Sequence, residues 1–225
     1  MSPDQLSATP VPVLGHARHR DGPGRVPVLH DWNGDGSGYR PMLPFLDPER
    51  FTYVFADLRG YGRSRHPAGA HTLAEVSWDC LRLAGALGWD GFSVVGHSMT
   101  GMVTQRLATD APDRIAAAVA LCPLSAAGSP ADAAGLAFLA RTVAEDDALR
   151  GLLRHVGRLP EDWLEEGLRR CRASADPGTR AAYLRMFAGA SFAEEVKGLA
   201  TPFLVVVGDR DPGLDADAMR RAFLA

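Results

Sequence analysis

The stretch VVGHSMTG, residues 94–101, carries the reading on which the rest of the chain turns. Two β-branched valines lead into Gly96, His97 and Ser98, and residues 99–109 then read as a helix closed by Asp110, Ala111 and Pro112. A serine therefore stands where a buried strand gives way to a helix. Such a turn strains the serine backbone, and the residues two before and two after it must be small for strand and helix to approach. Gly96 meets that demand. Thr100 is bulkier than the glycine usual there, with Gly101 next to it to relieve crowding. A serine that only capped a helix would need no such flanks. The pattern points to an exposed nucleophile, which requires an acid and a histidine further along the chain.

Working outward, VPVLH (26–30), FTYVFAD (51–57), FSVVG (92–96), IAAAVALC (115–122) and PFLVVVGD (202–209) are short apolar runs ending in polar residues or glycine. Continuous rather than alternating apolar runs suit strands buried on both faces, as in a parallel sheet. Helical patterns lie between them. Residues 71–87 have Thr72 and Glu75 at capping-box spacing, apolar residues at 73, 76, 80, 83, 84 and 87, and Gly88 as the stop. This rhythm predicts an α/β fold with a doubly wound, mostly parallel sheet. Between 124 and 200 the rhythm lapses into helical segments near 131–144, 146–156, 160–173 and 177–188. The expected organisation is a loose leader over 1–25, containing one edge strand, and an α/β core from 26–123 and 201–225. A helical cap over 124–200 is inserted before the acid-bearing strand and covers the sheet's C-terminal edge, where ligands of such folds sit.

Composition narrows the function classes. A length of 225 residues suits one domain with a full core. A net charge of −3, with Lys197 the only lysine and no basic tract, argues against nucleic acid or an anionic membrane as partner. Cys80, Cys122 and Cys171 are odd in number and far apart, matching neither a disulfide framework nor a metal site. The N-terminus has no apolar signal region, and no apolar run reaches spanning length, so a cytoplasmic location is expected. GDGSG (34–38) lacks the spacing of a phosphate-binding fingerprint and reads as a flexible loop at a pocket mouth. Neither a metal nor an organic cofactor is expected, and the partner is a small-molecule substrate.

With VLHDW (28–32), ADLRGYGRS (56–64), VVGHSMTG (94–101) and PFLVVVGDRDP (202–212) in this order, the chain resembles the α/β-hydrolase superfamily over residues 26–225, in its cap-bearing branch of esterase-like and peroxidase-like members. The resemblance implies Ser98 as nucleophile and the backbone N–H groups of Trp32 and Met99 as the oxyanion hole, with Asp31 standing where the family commonly has glycine. It implies Asp211, three residues after Gly208, as the triad acid, with Asp209 the competing candidate. Asp57 and Arg59 are expected to brace their loop. The implied activity is hydrolysis of an ester-like carbonyl bond in a small apolar substrate.

The histidine is absent from its expected place. The superfamily order is serine, acid, histidine, yet no histidine follows His155. His30 reads as structural, His66 and His71 flank a surface loop, His97 belongs to the elbow, and His155 lies in the cap, from where it would have to swing over Ser98. The expectation is a chain incomplete for catalysis at its C-terminal side. Two other readings compete. The His-Asp step at 30–31 is similar to that of cofactor-free oxygenases on this fold, alongside carbon–carbon hydrolases. A non-catalytic ligand-binding relative that lost the base is the other.

Overall fold

A computed structural model of the protein describes residues 13–157, 160–211 and 213–223. Six strands form one sheet: β1 (His16–His19), β2 (Gly24–Leu29), β3 (Phe51–Ala56), β4 (Phe92–His97), β5 (Ile115–Leu121) and β6 (Phe203–Val206). Their order is β1-β3-β2-β4-β5-β6, with β1 antiparallel to β3 and every other pairing parallel. The doubly wound, mostly parallel sheet expected from the apolar runs is what forms. Leu29, Val54, Val94 and Ala120 are fully buried, as strands covered on both faces require.

Of the stretch read as a loose leader, residues 1–12 lie outside the described residues. The remainder is tied down: His16–His19 pairs along the outer edge of β3, and Leu14 enters the main core at 4% exposure.

The helices α1 (Leu73–Ala86) and α2 (Met99–Asp110) fall between the strands. α1 starts where its capping signal stands: Thr72 accepts from the Glu75 N–H, and Glu75 Oε2 accepts from the His71 N–H at 2.7 Å. α2 is buried on most sides, Met99 through Gln105 included, because it packs directly beneath the sheet's centre.

Between β5 and β6 come four helices: α3 (Ala133–Thr142), α4 (Asp146–Gly157), α5 (Glu161–Ser174) and α6 (Pro177–Gly189). No β-strand lies among the described residues of 124–200. Asp132 caps α3 and Asp176 caps α6, each accepting from the backbone N–H three residues on, and Pro177 occupies the first turn of α6. Tyr183, Leu184 and Phe187 of α6 join the same apolar cluster as Trp32 and Met99, so this helical layer shares the core of the sheet rather than resting on it. α7 (Ala216–Phe223) follows β6. Among the described residues no helix is long and apolar enough to cross a membrane.

One local expectation is corrected and another is met. GDGSG is no flexible loop at the main pocket: it opens a 3-10 helix, Gly36–Phe45, held because the Gly36 N–H donates to Asp57 Oδ1 at 2.8 Å and the Ser37 N–H to Asp35 Oδ1 at 2.9 Å. Asp57 and Arg59 brace their loop as expected, each with partners of its own. Asp57 Oδ2 accepts from the backbone N–H and the guanidinium of Arg63, while Arg59 forms a bidentate pair with Asp79 of α1 at 2.9 and 2.6 Å.

Candidate active site

Ser98 sits between β4 and α2 with φ 53° and ψ −115°. The left-handed backbone is costly for a serine and persists only where the surroundings fix it. Those surroundings are visible. A Cβ on Gly96 would lie 2.2 Å from the Thr100 carbonyl oxygen, and one on Gly101 would lie 2.1 Å from Pro123 Cβ. Both glycines are therefore required by the close packing of strand, turn and helix. Thr100, larger than the expected small residue, is accommodated because its hydroxyl has work to do: Oγ1 accepts from the His97 N–H at 2.8 Å and lies 3.0 Å from the carbonyl oxygens of His97 and Leu29.

Ser98 opens onto a cavity of about 1030 Å³ between the C-terminal ends of the strands and the helical layer. Asp31, Trp32 and Asn33 after β2, His97, Ser98 and Met99 after β4, Cys122 after β5 and Gly208–Asp211 after β6 line its floor. Leu139, Leu152, Leu153, Val156 and Phe187 from α3, α4 and α6 line its roof. The four residues singled out in the sequence, Trp32, Ser98, Met99 and Asp211, thus face one cavity.

The N–H groups of Trp32 and Met99 have no acceptor among the described residues. Met99 is the first residue of α2, whose leading N–H groups find no partner within the helix and carry the positive end of its dipole. Trp32 is held on three sides. Its indole Nε1 donates to the Arg180 carbonyl at 2.9 Å, its own carbonyl accepts from the Tyr61 hydroxyl at 2.9 Å, and its ring meets Phe187 edge-on at 5.4 Å. Burial keeps Tyr61 protonated by pushing its pKa well above the ordinary value. Just before it, His30 is 1% exposed and bridges the loop: Nδ1 donates to the Asp31 carbonyl at 2.7 Å and Nε2 accepts from the Leu58 N–H at 3.0 Å. Burial lowers its pKa below 6.5, so the imidazole is neutral and structural.

Asp211 lies beyond β6, where its Oδ1 accepts from the N–H groups of Gly213 and Leu214 at 3.0 and 2.8 Å. It shares the cavity with Asp209, the more exposed of the two, and no imidazole bonds to either among the described residues. Of the histidines, His97 alone appears in the cavity lining. His155 is exposed on α4 and is not among the cavity-lining residues, while the half-buried Leu152 and Leu153 of the same helix are. Sequence reasoning missed Cys122, which lines the cavity with a left-handed φ of 40° at the end of β5. Its only signal was a thiol at the C-terminal end of a buried apolar run.

A family model described as the alpha/beta hydrolase fold matches residues 25–222. Among curated relatives, an acetyltransferase component of the acetoin cleaving system from Cupriavidus necator is 34% identical over 48% of this chain and 29% of its own length. A serine hydrolase-like protein of Homo sapiens is 36% identical over 35% of this chain and 39% of its own length. The matched stretches therefore span well under half of those relatives. A hydrolase from Oleispira antarctica superposes with a TM-score of 0.81 at 18% identity, covering 93% of this chain and 83% of that one, which is a likeness of fold alone. With the elbow, the parallel sheet and the inserted helices already in view, the family match settles the lineage: the chain belongs to the alpha/beta hydrolase fold family.

Proposed function

We propose that the protein is a serine hydrolase acting on the ester-like carbonyl of a small apolar substrate. The observation that carries the reading is the meeting, in one cavity, of a strained Ser98 with two acceptor-free N–H groups, those of Trp32 and Met99. Ser98 Oγ bonds to the carbonyl carbon and gives up its proton to a base. The carbonyl oxygen becomes the oxyanion and accepts from both N–H groups. Collapse expels the alcohol, and water then releases the acid from Ser98. Asp211 orients the imidazolium that forms. The apolar roof of Leu139, Leu152, Leu153 and Phe187 favours an uncharged acyl or alkyl group.

The base is the missing part. His97 is the one imidazole at the cavity, and its place inside the elbow, next to the nucleophile in the chain, does not suit a group that must lie between Ser98 and Asp211. The reading therefore needs a base that no histidine among the described residues supplies in place, and it expects a poor hydrolase in its absence. Loss of the histidine from a serine triad elsewhere costs on the order of a millionfold in turnover.

The test is hydrolysis of p-nitrophenyl butyrate by the chain, by Ser98→Ala and by His97→Asn, each with and without added imidazole. The expected result is slow turnover that imidazole raises and that Ser98→Ala removes. Fast turnover without imidazole, lost in His97→Asn, would place the base within the chain. Turnover indifferent to Ser98 under all conditions would end the serine-hydrolase reading. A second reading, cofactor-free oxygenation, is favoured by one observation: Asp31, in the place of a glycine, lines the cavity beside Trp32. Oxygen consumption with an aromatic hydroxy-ketone, abolished in Asp31→Asn but not in Ser98→Ala, would select it.

A further inference from the structure

Arg180, on α6, is 1% exposed, and no carboxylate pairs with it among the described residues. Its Nη1 donates to the carbonyls of Thr142 and Val143, at 2.9 and 3.3 Å, where α3 ends. Its Nη2 donates to Asn33 Oδ1 at 2.9 Å. The guanidinium carbon stands 4.8 Å from the centroid of the Trp32 ring, and the backbone carbonyl of the same residue accepts from Trp32 Nε1. One residue of the helical layer thus grips both residues that follow Asp31, by stacking and by hydrogen bonds.

Stability alone does not explain an arginine here. A cation taken out of water without a carboxylate is costly, and apolar replacements of buried charges are often neutral or stabilising. Its Nε is buried with no partner among the described residues, a further cost. The carbonyls at the α3 C-terminus offset part of this, since they carry the negative end of that helix's dipole. What a planar, multi-donor cation supplies and an aliphatic chain does not is fixed orientation of two separate segments at once.

We propose that Arg180 is a positioning residue that couples the seating of α3 and α6 to the orientation of Trp32 and Asn33, and through them to the N–H that meets the oxyanion. The inference rests on the Ser98 reading above for its catalytic consequence, though not for its structural one. A lifted helical layer would draw away the stacked guanidinium together with the Arg180 bonds to Asn33 and to the Trp32 indole, leaving the Trp32 carbonyl on Tyr61. Oxyanion binding depends on how the Trp32 N–H is aimed, whereas an alcohol lying against the apolar roof makes no use of that N–H.

The experiment compares Arg180→Met, which keeps an unbranched stem, Arg180→Lys, which keeps the charge, and Asn33→Ala, which cuts the contact from the other side. Two probes of similar size are titrated: n-hexylboronic acid, which forms a tetrahedral anion on a serine, and n-hexanol, which does not. Hydrogen exchange of the Trp32 indole Nε1–H, which donates to the Arg180 carbonyl, and the urea midpoint are measured alongside. In Arg180→Met, exchange at this indole should quicken about tenfold or more. The boronic acid should bind about tenfold more weakly, while hexanol shifts by less than about twofold. The urea midpoint should hold or rise, and Arg180→Lys and Asn33→Ala should fall between wild type and Arg180→Met. Adding Asn33→Ala to Arg180→Met should have little further effect. Unchanged exchange and boronate affinity would overturn the proposal. So would equal loss of both probes with a falling midpoint, which would mark Arg180 as ordinary packing. Should Arg180→Met not fold, Arg180→Lys and Asn33→Ala decide the question by the same readouts. If boronate binding by the wild type ignores Ser98→Ala, the Ser98 reading fails, and the exchange data alone then decide whether Arg180 holds the segment.

Discussion

The Thr100 hydroxyl lies 3.0 Å from the Leu29 carbonyl oxygen and 2.8 Å from the His97 nitrogen, so one side chain ties the turn after β4 to the end of β2. The two segments that carry Ser98 and Trp32 are thereby fixed to each other through a threonine hydroxyl. The Tyr39 hydroxyl donates to the same Leu29 carbonyl at 3.0 Å and holds it from the other side.

Thr100→Val keeps the shape and deletes the hydroxyl. It leaves the His97 N–H buried without its acceptor, which costs about 1–3 kcal/mol. Thr100→Ser retains the bond and should lose less than half as much. Urea unfolding of the two variants reads the difference, and equal loss would show that the methyl rather than the hydroxyl matters.

Gly96→Ala should be among the most damaging substitutions in the chain, about 2–4 kcal/mol, because its Cβ meets backbone that does not move aside. Gly85→Ala is the internal control. It lies inside α1 with nothing within 4 Å of a new Cβ, and it should gain about 0.5–1 kcal/mol from helix propensity. Thermal unfolding of both tests the contrast.

His30 makes the fold acid-sensitive. Its folded pKa lies below 6.5 while the unfolded chain titrates near 6.5, so below that pH the unfolded state binds the proton first. Stability is therefore complete above about pH 6.5 and falls as the pH drops through that value. In His30→Gln the starting stability is lower, but the decline in urea midpoint between pH 7.5 and 5.5 should flatten. A parallel decline in both proteins would assign the acid sensitivity elsewhere.

Ser98→Gly separates strain from chemistry. Glycine accepts a φ of 53° without penalty, so this variant should unfold at a higher temperature than wild type, by about 1 kcal/mol of relieved strain. It should also lose the imidazole-raised ester turnover expected of the wild type. A lower melting temperature would mean that Ser98 is not strained by its backbone.

What the sequence disclosed and what it hid divide along a physical line. Strand and helix positions came through because buried parallel strands leave unbroken apolar runs, and because Thr72 and Glu75 obey a local capping rule. Ser98 was legible because its turn imposes size limits on near neighbours. Features held by distant partners were not. Thr100 looked like a misfit, since sequence displays its bulk and not the Leu29 carbonyl across the sheet. Asp57 and Arg59 were read as loop braces, but the chain did not name their partners, Gly36, Arg63 and Asp79. Arg180 passed unnoticed because the Asn33 side chain it holds is 147 residues away.

The pairing of Ala118–Leu121 with Phe203–Val206 spans four intervening helices. The entropy of closing so long a loop grows only slowly with its length, so its main effect is on rate. Non-local parallel pairing is slow to form. Until β6 arrives, the outer rim of β5 offers unpaired amide and carbonyl groups along the apolar run IAAAVAL. During refolding from denaturant, that rim can be met by another molecule before its own strand returns. Recovery of native protein should accordingly drop as the concentration rises, and dilution should restore it.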